Sequence, residues 1–488
     1  MASYTSILKS SGLIGLVQIC QLTFGIIRNK VVAIVLGASG FGIWGLYQTY
    51  LEMVSSFSSL GIDQSGVREI AKNHDDHDHQ LKVILILKRS LLLICVLVTL
   101  LSICFSKTIS KSLFDTEDYF TGVILVSFVI IFNTISKGQK AILNGLRNIR
   151  GLAISQIYGS ISGTILTISL VFFLGVKGIP LYLFGIGLMA MLFTWLQVRK
   201  LKLEVVTPSK SVVQSEFKNL LYLGLGFSIS AIISGIFSYL SRIYLNSAFD
   251  LSTVGIYQAS WTISNMYIGI ILTAMGVDFM PRMMELVSDN KKLNNLVNEQ
   301  MELGLLISSI GVVFILIFSS FILQILYSSE FIQGSQIIRW QVLGVALRVL
   351  GFPFSYSIMA KNKPVKYVMV QAVHFICDYL LLIFFSKLLG FEGLGINYFI
   401  SYIIYLGMTW FICYKLFDFS PTALLMKITL ISFTCICCGW FISYFFSGFT
   451  LVGIGVLLLI GMAIWINLYL SKYMGANIIG FIKNKLKK

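Results

Sequence analysis

The spacing of apolar runs constrains this chain more than any other feature. A helix needs about 20 apolar residues to cross the hydrocarbon core of a bilayer, and fourteen such runs follow one another. They lie near 10–36, 41–61, 86–106, 118–138, 152–174, 178–197, 221–248, 253–277, 300–327, 333–357, 366–386, 391–413, 424–446 and 449–471. The longest connections fall near 62–85, 198–220 and 278–299, too short for a folded soluble domain. Charged residues make up 12% of the chain, against about 25% in a soluble protein. A water-soluble globule is excluded, and the expectation is an all-α polytopic membrane protein with about 14 transmembrane helices. All eight cysteines lie in apolar stretches without zinc-ligand spacing and read as small core- or lipid-facing residues. The N-terminus lacks the basic, apolar and small-residue succession of a cleavable signal.

The few charges are lopsided, with 37 Lys and Arg against 21 Asp and Glu. An even number of spans puts both termini on one side. When that side is taken as cytoplasmic, its segments and helix ends hold 28 of the basic residues. The opposite side holds four: Lys107, Lys111, Lys177 and Lys387. This asymmetry is a topology signal. It predicts a multi-pass protein with N- and C-termini in the cytoplasm. Five cations remain inside the spans: Arg28, Lys30, Arg242, Arg339 and Arg348.

Two stretches of the chain resemble each other. Arg28 precedes Arg242 by 214 positions, and Gly42-Ile43-Trp44 matches Gly255-Ile256-Tyr257 at 213. Leu60-Gly61-Ile62-Asp63 matches Met275-Gly276-Val277-Asp278, and Gly175-Val176-Lys177-Gly178 matches Gly390-Phe391-Glu392-Gly393, both at 215. Six helices are followed by six more of the same orientation, which implies a pseudo-two-fold axis along the membrane normal. The expected organisation is an N-terminal six-helix lobe over 1–205 and a C-terminal six-helix lobe over 206–415. Two additional helices and a basic cytoplasmic tail would occupy 416–488.

Lys30-Val31-Val32-Ala33-Ile34-Val35-Leu36-Gly37-Ala38-Ser39-Gly40-Phe41-Gly42 resembles the first helix and turn of bacterial polysaccharide flippases. Val254-Gly255-Ile256-Tyr257-Gln258-Ala259-Ser260-Trp261-Thr262-Ile263-Ser264 resembles their eighth helix, especially in O-antigen translocases of the Wzx type. These belong to the multidrug/oligosaccharidyl-lipid/polysaccharide exporter superfamily. The resemblance covers the whole chain in length and layout. It implies a pair of six-helix lobes and transfer of an undecaprenyl-diphosphate-linked oligosaccharide from the cytoplasmic to the periplasmic leaflet. Fourteen spans depart from the twelve of many members and are shared with the lipid II flippases.

An Arg near the centre of a spanning helix costs about 2.5–3.5 kcal/mol on insertion scales, so such residues need a polar cavity or partners. Arg28, Lys30, Arg242, Arg348 and Arg339 are the candidate substrate-binding cations. Guanidinium forks match the oxygens of a diphosphate. Arg339 and Arg348 stand nine residues apart, about 900° of helical rotation, and so project from opposite faces. Of the acids inside the spans, Glu52 could balance Arg28 or hydrogen-bond a sugar. Asp378 follows His374 by four residues on one helix face. That pair fits either a relay for a coupling proton or sodium ion or a hydrogen-bonded pair that locks packing, the second being the simpler. Trp44, Tyr50, Tyr239, Tyr257 and Trp261 could stack on sugar rings, although core packing or an interface belt is the simpler reading of each. Gly351-Phe352-Pro353 is expected to bend its helix. Gly159 and Gly163 mark close helix packing. His74-Asp75-Asp76-His77-Asp78-His79 lacks the spacing of a closed zinc site and reads as a solvated loop.

No nucleophile, metal or resident cofactor is required for such a reaction, and the protein is expected not to be an enzyme. Its partners would be the lipid-linked oligosaccharide, membrane lipids and polysaccharide polymerase machinery, with no nucleic acid. A cation-coupled multidrug exporter would favour acids in the cavity, where this chain places Arg28 and Lys30. A membrane polymerase or ligase would carry a long outer loop, which is missing. A lipid II flippase would differ only in the sugar.

Overall fold

The computed structural model describes residues 2–73, 76–204 and 206–474, with side chains for all of these except 2–14, 227, 267, 270, 274, 277, 278, 470 and 472–474. His74 and Asp75 of the acidic loop lie outside the described residues. So do the side chains of Lys9, Lys472, Lys483, Lys485, Lys487 and Lys488, and those of Val277 and Asp278 in the repeat.

Every apolar run lies on a helix. The first two share α1 (Ala2–Ser59). The others occupy α3 (His77–Cys104), α5 (Phe120–Gly145), α6 (Ile149–Leu174), α7 (Ile179–Arg199), α8 (Lys210–Ala248), α9 (Leu251–Leu286), α10 (Asn290–Leu326), α11 (Gly334–Ala360), α12 (Pro364–Leu389), α13 (Gly393–Phe417), α14 (Ala423–Phe445) and α15 (Gly448–Met474). Among the described residues, eleven helical segments are long and apolar enough to cross a membrane. Two of these, Gly15–Ser59 with 45 residues and Ile149–Arg199 with 51, have the length of two passes each. The chain is a multi-pass, all-α membrane protein. Two short helices, α2 (Ile62–Lys72) and α4 (Ser106–Phe114), occupy connections that hydropathy leaves blank. In α2 the buried face is Ile62, Ser65, Gly66, Glu69 and Ile70, while Arg68 and Lys72 are exposed.

The chain packs as two compact units, Met1–Gln258 with Leu326–Glu330, and Ala259–Ile325 with Phe331–Lys488. In the first unit, the break between the first two spans is one residue wide. Gly37 has φ 67° and ψ −175°, a conformation open in practice only to glycine. The helix that restarts beyond it exposes an unsatisfied N–H, and Glu330 supplies the acceptor, with Ala38 N donating to Glu330 Oε2 at 2.9 Å. A carboxylate at a helix start also meets the positive end of its dipole.

The repeat becomes a physical contact at Gly42 and Gly255. A Cβ on Gly42 would stand 1.9 Å from Leu251 O, and one on Gly255 would stand 2.0 Å from Ala38 O. Ala38 and Leu251 are themselves 213 positions apart, so the contact is reciprocal, residue for residue. The last repeat match is conformational as well: Gly175 (φ 53°) ends α6 and Gly390 (φ 58°) ends α12. Gly159 and Gly163 of α6 stand where a Cβ would be 3.4 Å from Ala190 Cα and 3.6 Å from Ile186 Cα of α7, the close packing expected of small residues at that spacing.

The second unit has its core among Leu296, Met301, Leu305, Phe354, Phe417 and Leu425. The turn between α13 and α14 is pinned to α10. Asn294 Oδ1 accepts from Ser420 N (2.9 Å), and Asn298 Oδ1 accepts from Thr422 N (2.9 Å). Thr422 then caps α14 through Leu425 N. At the start of α10, the Asp289 carboxylate accepts from the backbone of Lys292 and Lys291, which holds it below the ordinary carboxylate range. Helix α11 runs on through Pro353. There Ser357 Oγ donates to Pro353 O (2.8 Å) and Ser355 Oγ to Gly351 O (3.1 Å).

A cationic cavity and its neighbours

Helix α1 past its break carries a polar ladder at i, i+4 spacing, the spacing that places residues on one face. Trp44 Nε1 donates to Gln48 Oε1 at 2.9 Å, and Gln48 Nε2 donates to Glu52 Oε1 at 3.4 Å. This ladder forms one wall of a cavity of about 450 Å3 within the first unit, closed by α5 and α7. Arg28 enters from the first half of α1, its guanidinium carbon 5.9 Å from the Trp44 ring centroid. Helix α5 adds Asn133, Lys137 and Lys140. Lys137 Nζ donates to Ser55 O at 3.2 Å and lies within electrostatic reach of Glu52. Three cations therefore face one carboxylate across a polar pocket.

Lys137 and Lys140, two of the 28 basic residues counted on the cytoplasmic side, also line the cavity. They occupy the same wall as Asn133, one and two turns along α5. Gln48 and Asn133 are further lining residues that carry no charge to signal them. Glu52 lines the cavity, whereas Lys30 is exposed on α1 and outside the lining.

Arg28 and Arg242 show the repeat in their side chains. Arg242 stands 5.2 Å from the ring centroid of Tyr257, the repeat mate of Trp44. It is 5% exposed. Its guanidinium donates to Ser238 Oγ at 2.9 Å and Gln258 Oε1 at 3.1 Å. Charge-assisted hydrogen bonds contribute about 1.5–3 kcal/mol each, and a desolvated cation–π contact about 2 kcal/mol. Together these offset the cost of placing Arg242 at depth. Arg28 has less compensation: beside the Trp44 ring it finds no hydrogen-bond acceptor among the described residues, its buried Nε–H included. Leaving a buried donor unmade costs about 1–3 kcal/mol, so an anion entering the cavity would relieve a cost as well as gain a contact.

The remaining candidates lie in the second unit. Arg348 Nη1 donates to Asn265 Oδ1 at 2.7 Å, and the same oxygen accepts from Tyr398 OH at 3.3 Å. Arg339 faces a different neighbour, Tyr444, 5.8 Å from its ring centroid. His374 is buried against Tyr402 and Tyr405, ring centroids 4.7 and 4.9 Å away. Asp378 Oδ1 accepts from Asn397 Nδ2 at 2.9 Å. Of the aromatics, Trp44 lines the cavity, Tyr50 packs on Tyr239, and Trp261 packs edge-on against Tyr398. Asp76 caps α3 by accepting from His79 N, and His79 Nε2 lies 3.7 Å from Glu216 Oε1. Among the described residues, no group of three or more His, Cys, Asp or Glu side chains is placed to hold a metal ion.

Residues 7–287 match the family described as polysaccharide biosynthesis protein. The chain belongs to this family. It is similar to the lipid III flippase of Escherichia coli strain K12, 24% identical over 391 residues, covering 79% of this chain and 92% of that protein. A Shigella flexneri protein named for O-antigen transport is 23% identical over 376 residues, 76% of this chain and 88% of its own length. Among solved structures, a lipid II flippase in an inward closed conformation superposes with a TM-score of 0.73 at 15% identity, covering 96% of this chain and all of its own. An inward-facing multidrug resistance transporter of the MATE family, MOP superfamily, reaches 0.68 at 16% identity over 83% of this chain and all of its own. The fold is common to carriers of different cargo, so the cargo has to be argued from the cavity.

Proposed function

We propose that this member of the polysaccharide biosynthesis protein family is a flippase for an undecaprenyl-diphosphate-linked oligosaccharide, an O-antigen or related repeat unit. The cavity carries the reading: Arg28, Lys137 and Lys140 converge on a space flanked by Trp44, Gln48, Glu52 and Asn133. A diphosphate carries about two negative charges, which the guanidinium of Arg28 would take in its bidentate fork. Lys140 would neutralise the remainder as a point charge. Gln48, Glu52 and Asn133 offer acceptors and donors to sugar hydroxyls, and the Trp44 indole suits a sugar face. The isoprenoid tail would stay in lipid. Translocation makes and breaks no covalent bond, so the chain needs cations and sugar-binding groups rather than a nucleophile. Small-molecule sites commonly measure about 300–1,000 Å3, so this cavity takes the diphosphate and its first sugars rather than a whole glycan.

The direction proposed is from the cytoplasmic to the periplasmic leaflet of the bacterial inner membrane, by alternating access, with both termini cytoplasmic. The basic bias of the connections supports that orientation, and a reporter fused after Lys488 is expected to read cytoplasmic. A multidrug exporter for cationic drugs is disfavoured by three cations facing one acid. For coupling to a proton or sodium ion the sequence offered His374 and Asp378. The packing of His374 between rings and the Asn397–Asp378 hydrogen bond support the structural role of that pair. Deletion of the protein is expected to accumulate a lipid-linked oligosaccharide on the cytoplasmic face with loss of the matching surface polymer. Accumulation of a peptidoglycan precursor instead would move the proposal to the lipid II class.

A further inference from the structure

Helix α5 has a second face. Lys137 and Lys140 point into the cavity, whereas Ile135, Gly138 and Gln139 line a separate groove of about 490 Å3 against α3 and α7. The body of this groove is apolar, formed by Leu91, Leu92, Ile135, Trp195, Val198 and Leu203. Its mouth carries three cations, Lys88, Arg199 and Lys202, and no Asp or Glu lines it. None of the three makes an ion pair among the described residues.

These cations are not placed alike. Arg199 closes α7 with its guanidinium 5.2 Å from the Trp195 ring centroid, on an indole that is 43% exposed. Lys202 lies just past the helix end in a left-handed conformation, φ 47°, which a residue with a Cβ adopts at a cost. A basic residue at a helix C-terminus complements the dipole, and that alone would account for Arg199 and Lys202. It does not account for Lys88, which stands eleven residues or about 16 Å along α3, at the edge of its apolar run 86–106. A cation there, at the mouth of an apolar trough on a membrane-spanning helix, has the depth of a lipid headgroup rather than of a loop.

We propose that this groove binds an anionic phospholipid. The headgroup phosphate would sit among Lys88, Arg199 and Lys202, and one acyl chain would lie along the trough over Trp195. The proposal is independent of the cargo reading, because α5 separates the two spaces. A zwitterionic lipid offers the same tail but brings its own cation to the mouth, so the site selects for net negative charge. Free phosphate has no use for an apolar trough on a membrane-spanning helix.

The test uses the full-length protein in detergent, with phosphatidylglycerol and phosphatidylcholine as probes and binding followed by native mass spectrometry. Phosphatidylglycerol is expected to bind the wild type more tightly than phosphatidylcholine. The K88Q/R199Q/K202Q variant is expected to weaken phosphatidylglycerol by at least about tenfold and to leave phosphatidylcholine unchanged. Arg28→Ala is expected to keep the lipid preference. A second measurement does not depend on that triple variant. Phosphatidylglycerol brominated on its acyl chain is expected to quench the part of the fluorescence that Trp195→Phe removes, and to do so more than brominated phosphatidylcholine. Equal binding or equal quenching by the two lipids would overturn the proposal. So would loss of the preference in Arg28→Ala, which would put the lipid in the cavity, or displacement of phosphatidylglycerol by millimolar inorganic phosphate.

Discussion

Arg28 over Trp44 and Arg242 over Tyr257 are the same pair drawn twice by an internal repeat, yet they have been put to different uses. Arg242 is sealed, its guanidinium held by Ser238 and Gln258. Arg28 opens into a cavity, where no group among the described residues accepts a hydrogen bond from its guanidinium. The repeat places an intramembrane arginine twice, and the surroundings tie one into the fold and leave the other facing a cavity. What separates them is the set of acceptors around each, since the ring contact is alike.

The largest expected effect tests what the two copies share. Gly42→Ala and Gly255→Ala each drive a Cβ onto a backbone oxygen, at 1.9 and 2.0 Å. Backbone cannot yield as a side-chain tip can, and each is expected to cost on the order of 3 kcal/mol and sharply lower the folded protein recovered from membranes. A clear inequality between the two would break the symmetry of the contact.

The second expectation sets the arginines apart. Arg28→Ala is expected to abolish surface polysaccharide while thermal stability in detergent stays within about 0.5 kcal/mol of wild type. Arg242→Ala is expected to lose about 2–4 kcal/mol of stability, because it deletes two charge-assisted hydrogen bonds and a ring contact. Equal stability losses in the two variants would erase the distinction. Smaller effects belong to the lysines. Lys140→Gln is expected to reduce transport more than Lys137→Gln, by about tenfold against a few-fold, since Lys137 already spends a donor on Ser55 O. Transport of lipid-linked glycan in reconstituted vesicles would order them. Gln48→Leu is the smallest change, interrupting the Trp44–Gln48–Glu52 ladder and weakening the grip on the sugar with the charge intact.

Much of the architecture was legible in the sequence because bilayer thickness sets a ruler that apolar runs must meet. The repeat was legible as well, since Gly42 and Gly255 stand where only glycine fits and a constraint of that kind leaves a mark. The cavity was half legible. Arg28 and Glu52 stood out because charge inside an apolar run needs a reason. Lys137 and Lys140 did not, because a lysine near a helix end is what a topology signal looks like, and only the rotation of α5 tells a lining residue from a loop anchor. Gln48 and Asn133 carry no charge to notice. The break at Gly37 depends on Glu330, nearly 300 residues later, and no local pattern announces such a partner. Helices α2 and α4 are too short for a hydropathy window.

The central claim is that the cavity around Arg28 takes a diphosphate. Its most direct test is the affinity of undecaprenyl diphosphate for the purified full-length protein, wild type against R28A/K140Q, at matched thermal stability. The account predicts that the double variant binds on the order of a hundredfold more weakly, from two lost charge-assisted contacts. Unchanged affinity in a folded R28A/K140Q protein would contradict it.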